Sequence, residues 1–314
     1  MRKYDWYFAV CISSFVFRRS TIIYRPSSVV HRPSVWAVIA VLALAAGMLA
    51  GGCGDGARQD HVGPVVRRTI PEIMGALEAR ADKALPIKGT GRCLLRYYVE
   101  GKQKKEEFPV KFWVRPQHEV YLQGDVAFDP RGLVVGANAE EFWVSLRPKE
   151  ISSYWWGRWD DAGGGVPLMI SPRVVLEALG VMGPAEEGVW EIGWDKDLEV
   201  LTRRGQGHIV QKRIYIAGQA EVRRIEYYDE FGAPTVTATL EKYQDAVTGF
   251  AVPRLLTMVR RGVAGKDDTV RLTIHNASAA DISQKQADYM FVRPQPKGFD
   301  HVFTSVRGRW VEQE

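Results

Sequence analysis

The chain has 314 residues, 46% of them hydrophobic and 25% charged, an ordinary globular balance that allows one large domain or two small ones. Its net charge of +5 suggests a nucleic-acid partner only until the charge is placed: six of the 42 basic residues and one of the 37 acidic ones precede Cys53, which leaves 36 of each downstream. The main part of the chain is formally neutral and has no basic footprint. Three cysteines, Cys11, Cys53 and Cys93, are too few for a disulfide framework.

Residues 1 to 30 match no part of a signal peptide, which points to a translation start near Val29 or Val30. Val35 to Ala50 then form an uncharged run, "VWAVIAVLALAAGMLA", with Arg32 as its positive flank. Sixteen residues are short of the roughly 20 that a membrane-spanning helix needs and suit a signal-peptide core. The run ends in "LAGGC". Small residues followed by Cys53 resemble the lipobox of bacterial lipoproteins, with Ala50 at the position where leucine is preferred. The resemblance implies cleavage before Cys53 and acylation of its thiol. At about 0.8 kcal/mol per buried CH₂, one 16-carbon chain contributes roughly 12 kcal/mol of membrane affinity. Gly54 as the second mature residue implies, by likeness to Gram-negative sorting rules, the periplasmic face of the outer membrane. The expected division is therefore a leader and signal peptide over 1–53, a flexible tether over 54–68 and a single domain over 69–310.

Thr69 and Glu72 have the spacing of a capping box, and Ile70, Ile73, Met74, Leu77 and Ala81 share one face of a helix expected over about 70–84. Strand patterns follow: "KGTGRCLLRYYVE", "EFPVKFWVRP", "HEVYLQGDVAF", "GLVVGA" and "EEFWVSLRP". Their spacing of roughly 10 to 15 residues argues an antiparallel meander, since parallel pairs need long crossovers. "YWWGRWDDAGGG" reads as an exposed aromatic turn leading into a loop. Ser171 and Pro172 open a second helix carrying Val174, Val175, Leu176 and Leu179. Strands resume from "VWEIGW" to "TVRLTIHNA", where Thr269, Arg271 and Thr273 alternate with Val270, Leu272 and Ile274. The expected fold is mainly β with a few helices: a curved antiparallel half-barrel of about 11 strands, its concave apolar face filled by helices or a ligand.

The order of these elements, with "GTG" entering the first strand, "FWVRPQHEVYLQ", "NAEEFWVSLRP", "YYDEFGAPTVTATLEKY" and "DYMFVRPQPKGFDHV", resembles the LolA/LolB superfamily of periplasmic lipoprotein carriers and outer-membrane receptors over residues 69 to 303. The resemblance implies an open half-barrel whose concave face takes up the acyl chains of lipids or lipoproteins. Candidate ligand- or membrane-contacting residues are Trp113, Trp143, Trp155, Trp156 and Trp159, against the alternative that each is core or rim packing. The alternative function is an envelope sensor or scaffold that uses the fold to bind a periplasmic protein. The chain contains no GxSxG, HExxH, Walker, dinucleotide-binding or CxxC motif. The six histidines lack ligand spacing, and no cofactor, metal, nucleic-acid partner or enzymatic activity is expected. Cys93, alone in a strand-like segment, is expected to be a small buried hydrophobe.

Overall fold

The computed structural model describes residues 67–313, apart from 100, 127–128, 148–150, 161–169, 185–187, 263–264 and 308. The expected leader, the acylation site Cys53 and nearly all of the tether lie outside these residues. So do the triple glycine at 163–165 and the acidic pair at 186–187.

The described chain forms one open, curled sheet of 15 strands with few helices. Helix α1 (Ile70–Asp82) comes first, and its capping box forms as the spacing predicts: the Glu72 carboxylate accepts from the Thr69 amide at 2.7 Å and the Thr69 hydroxyl at 2.8 Å. Ile73, Leu77 and Ala81 on its apolar face are buried. Six strands then run as a meander: β1 (Ile87–Val99), β2 (Lys102–Arg115), β3 (Glu119–Val126), β4 (Asp129–Ala137), β5 (Glu141–Leu146) and β6 (Ser153–Arg158). Helix α2 (Pro172–Leu179) crosses to a second meander. Its strands are β7 (Val189–Asp195), β8 (Leu198–Arg204), β9 (Val210–Ala217), β10 (Glu221–Tyr228), β11 (Pro234–Val247), β12 (Phe250–Arg260) and β13 (Asp268–Ala279).

Pairing of β1 with β13 welds the two meanders into one sheet. Helix α3 (Gln284–Met290) follows, capped by Ser283 and Gln286. The chain then returns as β14 (His301–Val306), parallel to β6, and ends in β15 (Arg309–Glu312). Strands β15 and β7 form the two edges, so the sheet is never closed. A sheet this wide accumulates right-handed twist strand by strand and has to curl.

Fifteen strands replace the expected eleven or so, and the Trp-rich segment corrects the reading most sharply. Ser153–Arg158 is a sheet strand between β5 and β14, with Tyr154 fully buried, and not an exposed turn. Trp155 and Trp156 project to opposite faces, and both faces are covered there. A strand that is apolar on both sides shows no alternation to read. Strands β14 and β15 were missed for another reason: β14 pairs with β6, some 150 residues earlier, and local periodicity carries no trace of such a partner.

The two faces have separate cores. On the inner face α1 and α2 cover a continuous apolar surface contributed by β1–β5 and β8–β13, including Cys93, Leu95, Phe108, Phe112, Val135, Leu201, Ile214, Ile225, Leu240, Leu256 and Leu272. On the outer face Tyr121, Val134, Trp143 and Tyr154 form a smaller cluster beneath Ala287, Met290 and Phe291 of the C-terminal segment. The alternation along β13 came out as read, with Val270, Leu272 and Ile274 buried and Arg271 exposed.

Candidate functional site

The five candidate tryptophans do not form one site. Trp113, Trp143 and Trp156 belong to the outer-face cluster, whereas Trp155 and Trp159 pack against the inner core. Trp143 is 0% exposed and lies where the missing side chain of Gly136 leaves room; a Cβ there would come within 2.2 Å of the indole. Trp113 leans on Tyr121, and the Arg293 guanidinium covers Trp156 at 3.9 Å. Trp155 stacks on Phe303 with ring planes 11° apart. Trp159 packs on Phe142 with centroids 4.9 Å apart and donates its indole N–H to the Asn138 carbonyl at 2.7 Å. Each of the five has a packing partner, and only Trp155 and Trp159 lie on the side that an acyl chain would occupy.

The inner face is closed in this conformation. Arg80 of α1 donates to the Ala220 and Ala251 carbonyls at 2.8 and 2.9 Å, and its guanidinium lies 5.5 Å from the Tyr243 ring and 5.8 Å from the Phe250 ring. That guanidinium packs against Gly180, the residue ending α2. Gly180 has φ +73°, and a Cβ there would come within 2.6 Å of Arg80. Glycine therefore serves both the left-handed turn and the close approach. The space left between α1, α2, β9 and β10, beside Leu77, Glu177, Lys212 and Ile214, is about 20 Å³. That is room for a water molecule. Ligand pockets are typically about 300–1,000 Å³.

Within this apolar interface sits a polar cluster that the sequence reading did not single out. Lys212 of β9 and the Tyr227 hydroxyl of β10 both donate to Oε2 of Glu177 on α2. Glu177 is 8% exposed and Lys212 7%. Burial would raise the Glu177 carboxyl, but Lys212 and Arg173, with the hydrogen bonds from Lys212 and Tyr227, hold it below its ordinary value. Burial pulls Lys212 below its ordinary range, and Arg173 and Arg203 add to the effect against the pull of Glu177. Burial also drives Tyr227 well above the usual phenol range.

A signal for this cluster was present in the sequence. Lys212 shares the inward parity of Ile214 and Ile216, and Glu177 lies between Leu176 and Ala178 in a helix whose other residues, apart from Arg173, are apolar. A charge at an inward position of a strand, facing an opposite charge on the covering helix, is costly unless paired.

Elsewhere on the outer face a shallow depression of about 300 Å³ is lined by Thr90, Arg92, Lys111, Gln123, Asp125 and His275. It is larger than the inner space, and its Arg92 pairs with Glu107 at 3.0 Å. His118, His208 and His275 are exposed, the first in a turn, the second in a short 3-10 helix and the third in β13. Cys93 is buried and free, its thiol pushed up to about 12 by burial, as its expected role as a small hydrophobe requires.

No family model and no curated protein matches the chain. Among solved structures it is similar to a putative outer membrane lipoprotein-sorting protein domain from Vibrio parahaemolyticus, with 13% identity and a TM-score of 0.48 over 69% of this chain and 94% of that one. It is also similar to a LolA superfamily protein from Nitrosomonas europaea: 12% identity, TM-score 0.46, 71% of this chain and 98% of the other. A DUF1329 family protein from Desulfovibrio piger gives 12% identity and a TM-score of 0.45 over 69% and 97%.

Proposed function

We propose that the protein is a cell-envelope lipoprotein, anchored through acylated Cys53 at the periplasmic face of the outer membrane, that binds acyl chains of lipids or lipoproteins on the inner face of its sheet. Anchoring and location rest on the "LAGGC" motif and Gly54. The binding reading rests on one observation: among the described residues, a continuous apolar surface on an unclosed sheet is covered by two helices, of 13 and 8 residues. A helix of two turns has little stability of its own and is held by what it packs against. Displacing α2 would trade its apolar contacts for those of a ligand chain, at about 25 cal/mol per Å² in either case.

The test is to purify the protein without detergent, look for retained lipid by native mass spectrometry, and titrate it with a fluorescent fatty acyl probe. Retained lipid or saturable uptake supports the carrier. Their joint absence moves the reading to the alternative, a sensor or scaffold for a periplasmic protein, which the small inner space of about 20 Å³ favours. Mass spectrometry of the N-terminal peptide tests the anchor; an unmodified Cys53 in the membrane fraction would remove it. Nothing in this reading requires an enzymatic step.

A further inference from the structure

The inner face is not uniformly apolar. The strand registers align two rows across β7–β10. The row nearest the rim reads Trp190, Arg203, Lys212, Tyr227, each residue directly opposite the next. Two residues deeper, one pleat repeat of about 6.6 Å, the row reads Ile192, Leu201, Ile214, Ile225, Ala238 and continues into Met258 and Val270. A polar, cationic row at the rim thus borders an apolar row that runs across the sheet.

The rim row is short of acceptors. The indole Nε1 of Trp190 and the Nε atoms of Arg203 and Arg173 are buried with no hydrogen-bond partner among the described residues. Arg173 lies one helical turn before Glu177 and on the same face. Among the described residues, Arg173 and Arg203 thus act on Lys212, whose carboxylate partner Glu177 the Lys212 ammonium and the Tyr227 hydroxyl already occupy. Unpaired buried donors and uncompensated buried charge are both unfavourable, and native structures keep them where something else supplies the acceptor.

We infer that the rim row is a headgroup site: the protein takes up acyl chains that end in an anion, a carboxylate or a phosphate, with the anion on Trp190, Arg203 and Lys212 and the chain along the apolar row beneath. Glu177 stands in for that anion when the site is empty. A headgroup that replaces it meets two donors the carboxylate of Glu177 leaves unpaired, so displacement of α2 is coupled to the charge of the cargo. This rests on the reading of the inner face as an acyl-chain site and adds the class of lipid it selects.

The test uses the full chain with Cys53→Ser, titrated with palmitate and with methyl palmitate, which share a chain and differ in charge. Palmitate is expected to bind at least about tenfold more tightly, the equivalent of about 1.4 kcal/mol. Arg203→Gln should bring the ratio to about one, and Glu177→Gln should raise it by removing the competing carboxylate. Lys111→Gln, in the outer depression, should leave it alone. Circular dichroism checks the fold of each variant, and if Arg203→Gln unfolds, Glu177→Gln carries the test.

Equal binding of the two probes overturns the inference and leaves the acyl-chain reading standing. Failure of both to bind overturns that reading itself. Sodium acetate raising the melting temperature as much as palmitate would show a site for a small free anion, and the lipid headgroup would be wrong.

Discussion

The two covered faces of this sheet are held shut by different means. Over β2–β6 on the outer face, the C-terminal segment is fastened by several specific contacts, although the buried Trp143 indole N–H beneath it has no partner among the described residues. Asn138 Nδ2 donates to the Phe291 carbonyl at 3.0 Å, and the Tyr154 hydroxyl to that of Pro294 at 2.9 Å. Arg293 pairs with Glu141 at 2.7 Å, and Arg115 and Arg147 lie over Phe291 and Phe299. On the inner face, α2 rests on β3–β5, β11 and β12 and is tied to β9 by one buried ion pair, with donors left over. The first cover is a staple of many specific bonds. The second is apolar surface that another apolar body could replace, pinned at one charged point. On the proposed function, the outer cluster serves stability and the inner face exchange.

The largest expected effect comes from breaking the staple's core. Trp143→Ala should cost about 3–5 kcal/mol in urea unfolding, because the indole is fully buried and Gly136 cannot fill the space it leaves. Uptake of the fatty acyl probe by the folded fraction should stay unchanged. A loss of uptake with little loss of stability would join the outer cluster to the binding site and erase the distinction.

Next is the pin. Glu177→Leu leaves Lys212 buried beside Arg173 and Arg203 without its carboxylate, and should cost about 3–5 kcal/mol. Glu177→Leu with Lys212→Met should recover most of it, since a well-packed apolar pair of similar volume is often no worse than a buried ion pair. The pH dependence has a definite sign. A carboxyl depressed in the folded state contributes stability that is complete above its unfolded value and is lost as pH falls through the folded one. The stability gap between wild type and Glu177→Gln should therefore narrow as pH falls below about 4.5. A gap that widened on acidification would mean that burial outweighs the surrounding cations.

Several elements announced themselves through a cap or an alternation in the sequence. α1 showed its cap and stripe, β11 and β13 alternated, and Ser171–Pro172 marked the start of α2. Legibility failed where both faces are dry. Trp155 and Trp156 on β6 look alike in sequence and point to opposite cores, so a tally of tryptophans could not sort candidates by side. It failed again where partners are distant. α3, β14 and β15 are short and owe their places to β3–β6, which precede them by well over a hundred residues. The rim row was hidden for a third reason. Arg203, Lys212 and Tyr227 are ordinary residues for half-wet strands, and only the register shows that they stand side by side under Glu177.

A smaller effect tests whether the staple is a sum of separate bonds. Tyr154→Phe removes the donor to Pro294 and leaves the ring in place against Phe299, and should cost about 0.5–1.5 kcal/mol. Uptake of the probe should again be unaffected. A cost of several kcal/mol would mean that the C-terminal segment comes away as one unit when that bond is lost.

The smallest expected signal is the most direct measure of how often the inner face opens. Cys93 points into the inner core beside Phe108 and Leu272, its cross-strand neighbours on β2 and β13. Burial raises its thiol to about 12, so at pH 8 almost none is thiolate and alkylation has to wait for an opening event. Iodoacetamide should leave the folded protein essentially unlabelled over a period in which urea-unfolded protein reacts fully. Labelling should quicken in Glu177→Leu by more than in Trp143→Ala, whose expected cost in stability is the same, because only the first loosens α2. Equal rates in the two variants would place Cys93 exposure in global unfolding alone. The inner cover would then be as fixed as the outer one, and the sheet would be better suited to a protein partner than to a lipid.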